Sequence, residues 1–419
     1  MAGNEFLGPQ LQRGRSNRNE ANGLNLDGVG LLIAGGVAVG GGVQLNQVYP
    51  LLSAEDAKAL KMDTAYDVLN GHLVYEHIYR FFRVNPNGKL YLKLVDKALT
   101  LAQIVQQHVQ QTVLDPATNR EIKLVVIAHN PAVTYVPAFA QGFETGLLEA
   151  VDAAQAKVED LLALGYYLPS VAIEGRMQPN ATISSSRDWR DEQAPNVSVV
   201  SFQDPDIASR GGFVANYGDV GTFLGHLSIR RVSESVGSVD IANKPTNKVS
   251  QESFPLTDRS EGFYLDAALS SGKKFAELTA AELTALGNKG LVYAGAFGGY
   301  DGYYINNGHV CAPVTGTYAY IEDNRVWCKA ASITRTVMIP TVRGNFPRNA
   351  DGSMRSTYKN YLQERIRNGL RAMTRTGEIE ADPAIEVQEN PNGSGVVKLG
   401  LKYVQEGVQR VLEGTIGPF

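Results

Sequence analysis

The run IKLVVIA, residues 122–128, decides the fold class, because every residue in it except Lys123 is apolar. A nearly continuous apolar run of this length is typical of a strand buried on both faces of a parallel sheet. The spacing of apolar residues predicts a long helix over 142–164, and two further apolar runs predict strands over 170–173 and 197–202. Strands that alternate with helices in this way predict a mixed α/β fold with a partly parallel sheet.

The segments before this run extend the same pattern. Residues 28–43 contain two short apolar runs separated by glycines, which predicts buried strands joined by tight turns. Apolar residues three and four apart predict one helix over 68–84 and another over 100–111, with a strand over 89–95 between them. Residues 1–26 are rich in Asn, Arg and Gly, and we expect this arm to be disordered until a partner orders it.

The clearest helix of the chain is predicted over residues 356–375, where apolar residues line one face. Arg367, Arg371 and Arg375 recur every four residues on the adjacent flank, about 100° round the helix. This stripe could form a binding surface. From the sequence alone a solvated helix face, with Glu364 as a partial partner, is the favoured interpretation.

The rest of the C-terminal part is predicted to contain further helices and strands. A polar segment with two prolines, residues 242–258, is a plausible domain boundary. The predicted helices cover residues 279–286 and 326–336, and the predicted strands cover residues 291–294, 384–389, 396–404 and 408–412.

Composition excludes several classes of protein. The chain has 419 residues, a length that usually divides into two or three domains. Its 39 basic and 43 acidic residues give a net charge of −4, which argues against nucleic acid as the main partner. The only cysteines, Cys311 and Cys328, cannot form a disulfide scaffold and suit a reducing compartment. The longest apolar stretch, residues 29–43, is too short and too rich in glycine for a membrane span, so we expect no direct membrane contact.

We find no motif that predicts catalysis, a metal site or a cofactor. Gly28 and Gly30 begin a possible dinucleotide fingerprint, but Ile33 stands where the third glycine is required. No histidine or cysteine pair has the short spacing of a zinc site, and no nucleophile motif is present. An α/β enzyme would use strand ends such as those near His129 and Asp204, and this alternative stays open.

The order of elements in the last third of the chain resembles the last domain of phage tail sheath proteins and of the related sheaths in contractile bacteriocins and secretion systems. The residues that carry this likeness are the helix YKNYLQERIRNGL at 358–370, the following strand, a turn with Gly393 and Gly395, and the strand VVKLGLKYV at 396–404. The glycine-rich strands near the N-terminus, the helix containing YRFF at 79–82 and the segment GLVYAG at 290–295 are similar to that family too. The likeness spans most of the chain as a succession of elements, without a diagnostic motif.

This resemblance implies a structural protein and no enzyme. A sheath subunit polymerises helically, in rings expected to be hexameric, around an inner tail tube protein. Its contraction drives the tube through the envelope of a target cell. The expected partners are copies of the chain itself, the tube, and baseplate and terminator proteins. The expected location is a virion tail or an equivalent contractile particle that is assembled in the bacterial host cytoplasm.

The resemblance also implies a domain organisation and two sets of site residues. It divides the chain into an N-terminal arm (1–26), an outer part (27–250), an inner domain (251–405) and a C-terminal arm (406–419). The arginine stripe of residues 367, 371 and 375 would face the tube. The residues expected to join sheets of neighbouring subunits are Leu24, Leu26, Val408, Val411, Leu412 and Ile416. The C-terminal strands could instead complete their own sheet, and another structural virion protein (a tube, baseplate or capsid subunit) remains an alternative.

Overall fold

A six-stranded sheet forms the centre of the fold in the computed structural model, which describes residues 26–213, 216–389 and 397–410. The strands are β1 (Gly30–Gly36), β2 (Val48–Leu51), β3 (Leu90–Asp96), β4 (Leu124–Ala128), β5 (Phe139–Ala140), β6 (Phe143–Glu144), β7 (Ser170–Glu174), β8 (Val197–Val200), β9 (Phe202–Gln203), β10 (Ala268–Leu269), β11 (Ala294–Gly295), β12 (Tyr304–Ile305), β13 (Ala384–Glu389) and β14 (Val397–Lys402). The central sheet has the order β2-β3-β1-β4-β7-β8, and all its neighbours are parallel except the edge pair β2 and β3.

Helices cover both faces of this sheet. They are α1 (Ala54–Ala59), α2 (Thr64–Asn70), α3 (Val74–Val84), α4 (Leu101–Ile104), α5 (Gln110–Leu114), α6 (Leu147–Ala163), α7 (Pro205–Ser209), α8 (Val220–Ile229), α9 (Ala280–Asn288), α10 (Ile321–Met338) and α11 (Ser356–Arg375). A π-helical turn, Val105–Val109, joins α4 to α5. None of the helices in the described ranges is long and apolar enough to cross a bilayer.

Two hydrophobic cores lie on opposite faces of the sheet because side chains alternate along each strand. Leu32 of β1 and Val126 of β4 belong to the first core, against α3 and α8. Ile33 and Val125 belong to the second, against α6. Every residue of β1, β4 and β7 is buried, as expected for parallel strands covered on both faces. The predicted mixed α/β fold is therefore confirmed.

A third core lies between α10, α11 and the antiparallel pair β13–β14. Ile366 and Leu370 of α11 pack there with Ile385 and Val387 of β13. Along β13, buried residues alternate with exposed ones, so one face of this small sheet is covered by α11. The helix predicted over 356–375 is present with those bounds.

Several predicted elements differ from the observed ones. The single helix over 68–84 is wrong, because Gly71 ends α2 in the left-handed conformation (φ 61°) and α3 begins only at Val74. Of the two strands expected over 28–43, only β1 forms. The chain after it closes a glycine turn in which the Val39 amide donates to the Val43 carbonyl at 2.8 Å.

The C-terminal predictions had mixed outcomes. The helix expected over 326–336 is longer, Ile321–Met338. Residues 408–410 do not form the predicted strand, and residues 411 and 412 lie outside the described residues. The division of the chain near residue 250 stays a prediction. Apolar residues between 254 and 312 pack in the cores of the central sheet and its surroundings, whereas most of the third core comes from residues 326–403.

Candidate functional site

The strand end at Asp204, where an α/β enzyme would carry functional groups, is part of a buried ion-pair network. Arg80 of α3 is only 2% exposed, and its guanidinium donates to Asp204 at 2.8 Å and to Asp219 at 3.4 Å. The Tyr264 hydroxyl also donates to Asp219, at 2.7 Å. Burial would raise the pKa of Asp219, but hydrogen bonding from His77 and the charge of Arg80 hold it well below its usual range.

A second buried network surrounds the strand end at His129. Arg176 donates to Glu144 at 2.5 Å and to Glu174 at 3.0 Å. The His129 ring nitrogen Nδ1 lies 3.2 Å from Glu144, and the Tyr135 hydroxyl donates to the same carboxylate at 2.5 Å. Burial alone would raise the pKa of Glu144, but hydrogen bonding from His129 and the Arg176 charge lower it from 4.5 to about 2.

These two networks hold loops and helices together, because their charged groups bind one another. His129 and Asp204, considered together from the sequence, belong to separate networks. Arg80 and Arg176 were missed by sequence reasoning. Arg80 has one local partner, Glu76, one turn earlier on α3 at 2.8 Å, but its other two carboxylate partners are 124 and 139 positions away. Within the described residues, no group of three His, Cys, Asp or Glu side chains could hold a metal ion.

A surface groove of about 520 Å³ lies beside the β10 hairpin, next to Met177, Thr182 and Ser271. Two of its charged residues, Lys273 and Glu282, form an ion pair at 2.7 Å. These two charges therefore bind each other and are not free to orient a small ligand.

The arginine stripe of α11 lies on the flank next to the buried face of that helix. Arg367 forms ion pairs with Glu364 and with Asp382, the latter at 3.4 Å. Arg371 and Arg375 are exposed, and Arg371 donates to the Asn368 side chain at 2.6 Å. The described surface of α11 thus presents two exposed arginines and one whose charge is already paired.

The β13–β14 pair is a sheet with only two strands among residues 26–213, 216–389 and 397–410. Its antiparallel register runs from Ala384 opposite Lys402 to Glu389 opposite Val397. α11 covers one face, so the sheet has a core behind it. A strand edge without a neighbour presents free N–H and C=O groups, and these can pair with an added strand.

The residues predicted to join neighbouring sheets lie mostly outside the described part of the chain. Leu24, Val411, Leu412 and Ile416 are outside it. Leu26 begins a 3₁₀ turn, Leu26–Gly28, and only its backbone is described. Val408 is described, is half-buried and pairs with no strand of the described residues.

Comparison with known proteins gives a family and solved structures with a similar fold, two of which are described below. Residues 15–309 match the family domain described as "DUF2586, N-terminal domain", and residues 317–417 match "DUF2586, C-terminal domain". Among curated proteins, none has a sequence that matches this chain.

Two of the similar structures are a baseplate chain and a chain of a sheath complex. One is a chain of the anti-feeding prophage (AFP) baseplate, with 13% identity, a TM-score of 0.55 and 94% coverage of each chain. The other is a chain of an extracellular contractile injection system, the PVC sheath complex in the contracted state. It has 10% identity and a TM-score of 0.55, and the alignment covers 97% of this chain and 93% of the other. At this identity the likeness shows a shared fold.

Proposed function

The chain belongs to the DUF2586 family, and we propose that it is a structural subunit of a contractile phage-tail-like particle, specifically a subunit of the sheath. The observation that carries this proposal is the fold, which is shared over at least 94% of the chain with components of two such particles. The buried networks around Arg80 and Arg176 also favour a structural role, because they use the charges at the strand ends internally.

In this proposal the subunits assemble helically around a tube formed by a second protein. The contacts are heterologous, so each subunit uses two different surfaces and the polymer can extend. Contraction is a change from one packing of the subunits to another of lower free energy. Baseplate and terminator proteins would bind the two ends, and the particle would be a virion tail or an equivalent machine.

The open edges of the β13–β14 sheet are the proposed acceptors for arms of neighbouring subunits. An extended arm gains main-chain hydrogen bonds at such an edge without needing a folded domain of its own. The proposed donor residues are Leu24, Leu26, Val411, Leu412 and Ile416. Such links would keep the subunits connected while their packing changes.

Arg371 and Arg375 are the proposed contacts to an acidic tube surface. Both are exposed, so they can approach a partner without unfolding, whereas Arg367 is partly neutralised by Glu364. Attraction between exposed charges is screened by salt and falls off over about 8–10 Å at physiological ionic strength. Such a contact can form during assembly and be released on contraction.

A baseplate subunit is the second candidate, because one of the two similar structures is a baseplate chain. Negative-stain electron microscopy of the purified protein at high concentration separates the two. We expect hollow helical cylinders, or stacks of rings, wide enough to contain a tube. Single rings that do not stack would favour the baseplate. Compact monomers that bind a metabolite would contradict both and favour an enzyme.

A further inference from the structure

Residues 403–410, here called the C-terminal strap, leave the β13–β14 sheet and run along the N-terminal end of α10. The Glu380 amide donates to the carbonyl of Val404 at 2.8 Å, and the Gln405 side chain donates to Asp323 of α10. Glu406 accepts a hydrogen bond from the Ser233 hydroxyl at 2.8 Å. The strap therefore contacts α10 and the segment before β13. It also contacts Ser233, in the part of the chain that carries the central sheet.

The last described residue, Arg410, makes the most extensive contact of the strap. Its guanidinium forms an ion pair with Glu322 of α10 at 2.7 Å and donates to the Asn307 side chain at 2.7 Å. The guanidinium carbon also lies 3.3 Å from the centre of the Tyr320 ring. A planar guanidinium that stacks on an aromatic ring and bonds at its edge is held in one orientation.

Glu322 makes this contact costly to break. The residue is only 1% exposed, and its second oxygen has no hydrogen-bond partner within the described residues. Burial raises the pKa of Glu322, which means that its charged form is poorly solvated. Removing Arg410 would leave a buried carboxylate without its counter-ion, which is strongly unfavourable.

The N-terminal side of the described chain is held by the same helix. Lys329 of α10 forms an ion pair with Asp27 at 2.7 Å and with Glu378 at 2.8 Å. Arg325 donates to the Asp27 carbonyl at 3.4 Å. The first turns of α10 thus bind the chain next to both of its undescribed terminal segments.

We propose that α10 is the common anchor of the two terminal arms, and that the C-terminal strap stays on its own subunit, so that only residues after Arg410 are exchanged with a neighbour. Val408 then belongs to the anchor and not to the exchanged strand. The exchange rests on the function proposed above, whereas the binding of the strap within one chain does not. Tension along an arm would pass into α10, which lies within the C-terminal family domain, and would not peel β14 from its sheet.

Cysteine cross-linking distinguishes a strap bound within one chain from a strap exchanged between chains. In the variant Gln405→Cys/Asp323→Cys the two new thiols replace side chains that touch, so a short thiol cross-linker can join them. The native Cys311 and Cys328 are buried. The two variants that carry only one of the new cysteines show how much cross-linking the native thiols contribute. Reaction is followed on non-reducing gels for dilute free subunits and for assembled particles.

We expect an internally cross-linked single chain in both samples. A ladder of covalent multimers in the particles, absent from the single-cysteine controls, would overturn the proposal. If no particles form, the sheath function fails, and the strap is then judged on the free subunit alone. In the free subunit, an internal cross-link supports the binding of the strap within one chain, and the absence of a cross-link refutes it.

A second measurement tests Arg410 itself in the free subunit. Arg410→Ala should speed proteolysis within residues 403–410 at least tenfold, because the strap loses its ion pair and its stacking contact. Gln409→Ala, an exposed neighbour, is the matched control and should leave the rate unchanged. Arg410→Lys, which keeps the charge but not the planar group, should lie between them. Equal rates for Arg410→Ala and Gln409→Ala would contradict the anchor.

Discussion

Arg80 illustrates how single residues stabilise this fold. It lies on α3 and pairs with Glu76 of the same helix, and its other two carboxylate partners come from the segment after β9 and from the N-terminal cap of α8. Three separate parts of the chain therefore meet at one guanidinium. A buried ion pair contributes little net free energy relative to an apolar replacement of both partners, but removal of one partner is costly.

Arg80→Met should therefore destabilise the protein strongly. The substitution keeps the side-chain volume roughly similar but leaves Asp204 and Asp219 buried without their cation, which costs about 3–5 kcal/mol. Arg83→Met, on the same helix, is the control. Arg83 is 35% exposed and pairs with Asp258 and Glu261, so we expect a loss below about 1 kcal/mol.

Urea unfolding measures both free energies. Similar losses for the two variants would mean that the buried network is not a stabilising contact.

Glu144 should give the stability a defined pH dependence. Its pKa is 4.5 when unfolded and about 2 in the folded protein. A lowered pKa stabilises the folded state above pH 4.5, and this contribution is lost as the pH falls towards 2. The maximum contribution is about 3 kcal/mol, from 1.36 kcal/mol for each pKa unit.

Glu144→Gln removes this titration. We expect the free energy of unfolding of the variant to fall less steeply between pH 4.5 and 2 than that of the native protein. Denaturant titrations at several pH values give the two slopes. Parallel curves would show that Glu144 does not titrate with a lowered pKa.

These residues also mark the limit of what the sequence could predict. The apolar face of α11 was predicted from local spacing, and Leu362, Ile366 and Leu370 are buried as expected. The ion pairs of Arg80 with Asp204 and of Arg410 with Glu322 join positions 124 and 88 apart, and the one local pair, Arg80 with Glu76, would equally suit an exposed helix face. Their partners become neighbours only once the sheet and the two domains are assembled.

At the scale of elements, the contact between α3 and α8 depends on glycines. A Cβ at Gly221 of α8 would lie 2.5 Å from the Cα and the carbonyl oxygen of His77 on α3. Gly225, one turn later, approaches Val84 and Phe81 in the same way. A side chain at either position would push the two helices apart. The helices α3 and α8 can therefore pack closely only because both positions are glycine.

Gly221→Ala should therefore destabilise the protein, although alanine is the better helix former. The clash involves backbone atoms that cannot turn away, and overpacking of this kind costs about 1–3 kcal/mol. Gly287→Ala in α9 is the matched control, because no atom lies within 4 Å of its Cβ position. There we expect a gain of up to about 1 kcal/mol from helix propensity.

Thermal unfolding shows directly whether each variant is less or more stable than the native protein. A stabilising Gly221→Ala would show that α3 and α8 can separate freely.

The elements predicted best were those with long, regular patterns. The helix over residues 356–375 and the strand of residues 384–389 have the predicted bounds, because nothing interrupts their periodicity. The helix over 68–84 was wrong because the apolar pattern continues across Gly71, where Val133 from a distant loop occupies the space of a Cβ. That tertiary contact favours the break, and the local pattern does not contain it.

At the scale of the whole molecule, the proposed tube contact can be tested separately from folding. The variant Arg371→Glu/Arg375→Glu reverses two exposed charges on α11 and should leave the unfolding temperature nearly unchanged. We expect it to assemble around the tube protein poorly, and most poorly at low salt, where repulsion is least screened. Arg259→Glu, an exposed arginine that pairs with Asp301 away from this helix, is the control.

Co-sedimentation with tubes at several salt concentrations measures the effect. Equal sedimentation of the reversed and control variants would exclude this face of α11 from the tube contact.

Two truncations separate the folded subunit from its role in a polymer. A chain that ends after Arg410 keeps the strap and its ion pair with Glu322, so its unfolding temperature should equal that of the full chain. A chain that ends after Val404 loses residues 405–410 of the strap and leaves Glu322 buried and unpaired, so it should unfold at a temperature several degrees lower. Both should fail to form contractile cylinders, because both lack the residues proposed to add to the β13–β14 sheet of a neighbour.

Calorimetry and electron microscopy of the same samples separate the effect on folding from the effect on assembly. Ordered, contractile cylinders from the chain that ends after Arg410 would refute C-terminal strand exchange. The N-terminal arm would then be the remaining arm proposed to link subunits, still attached to its own chain through Asp27 and Lys329.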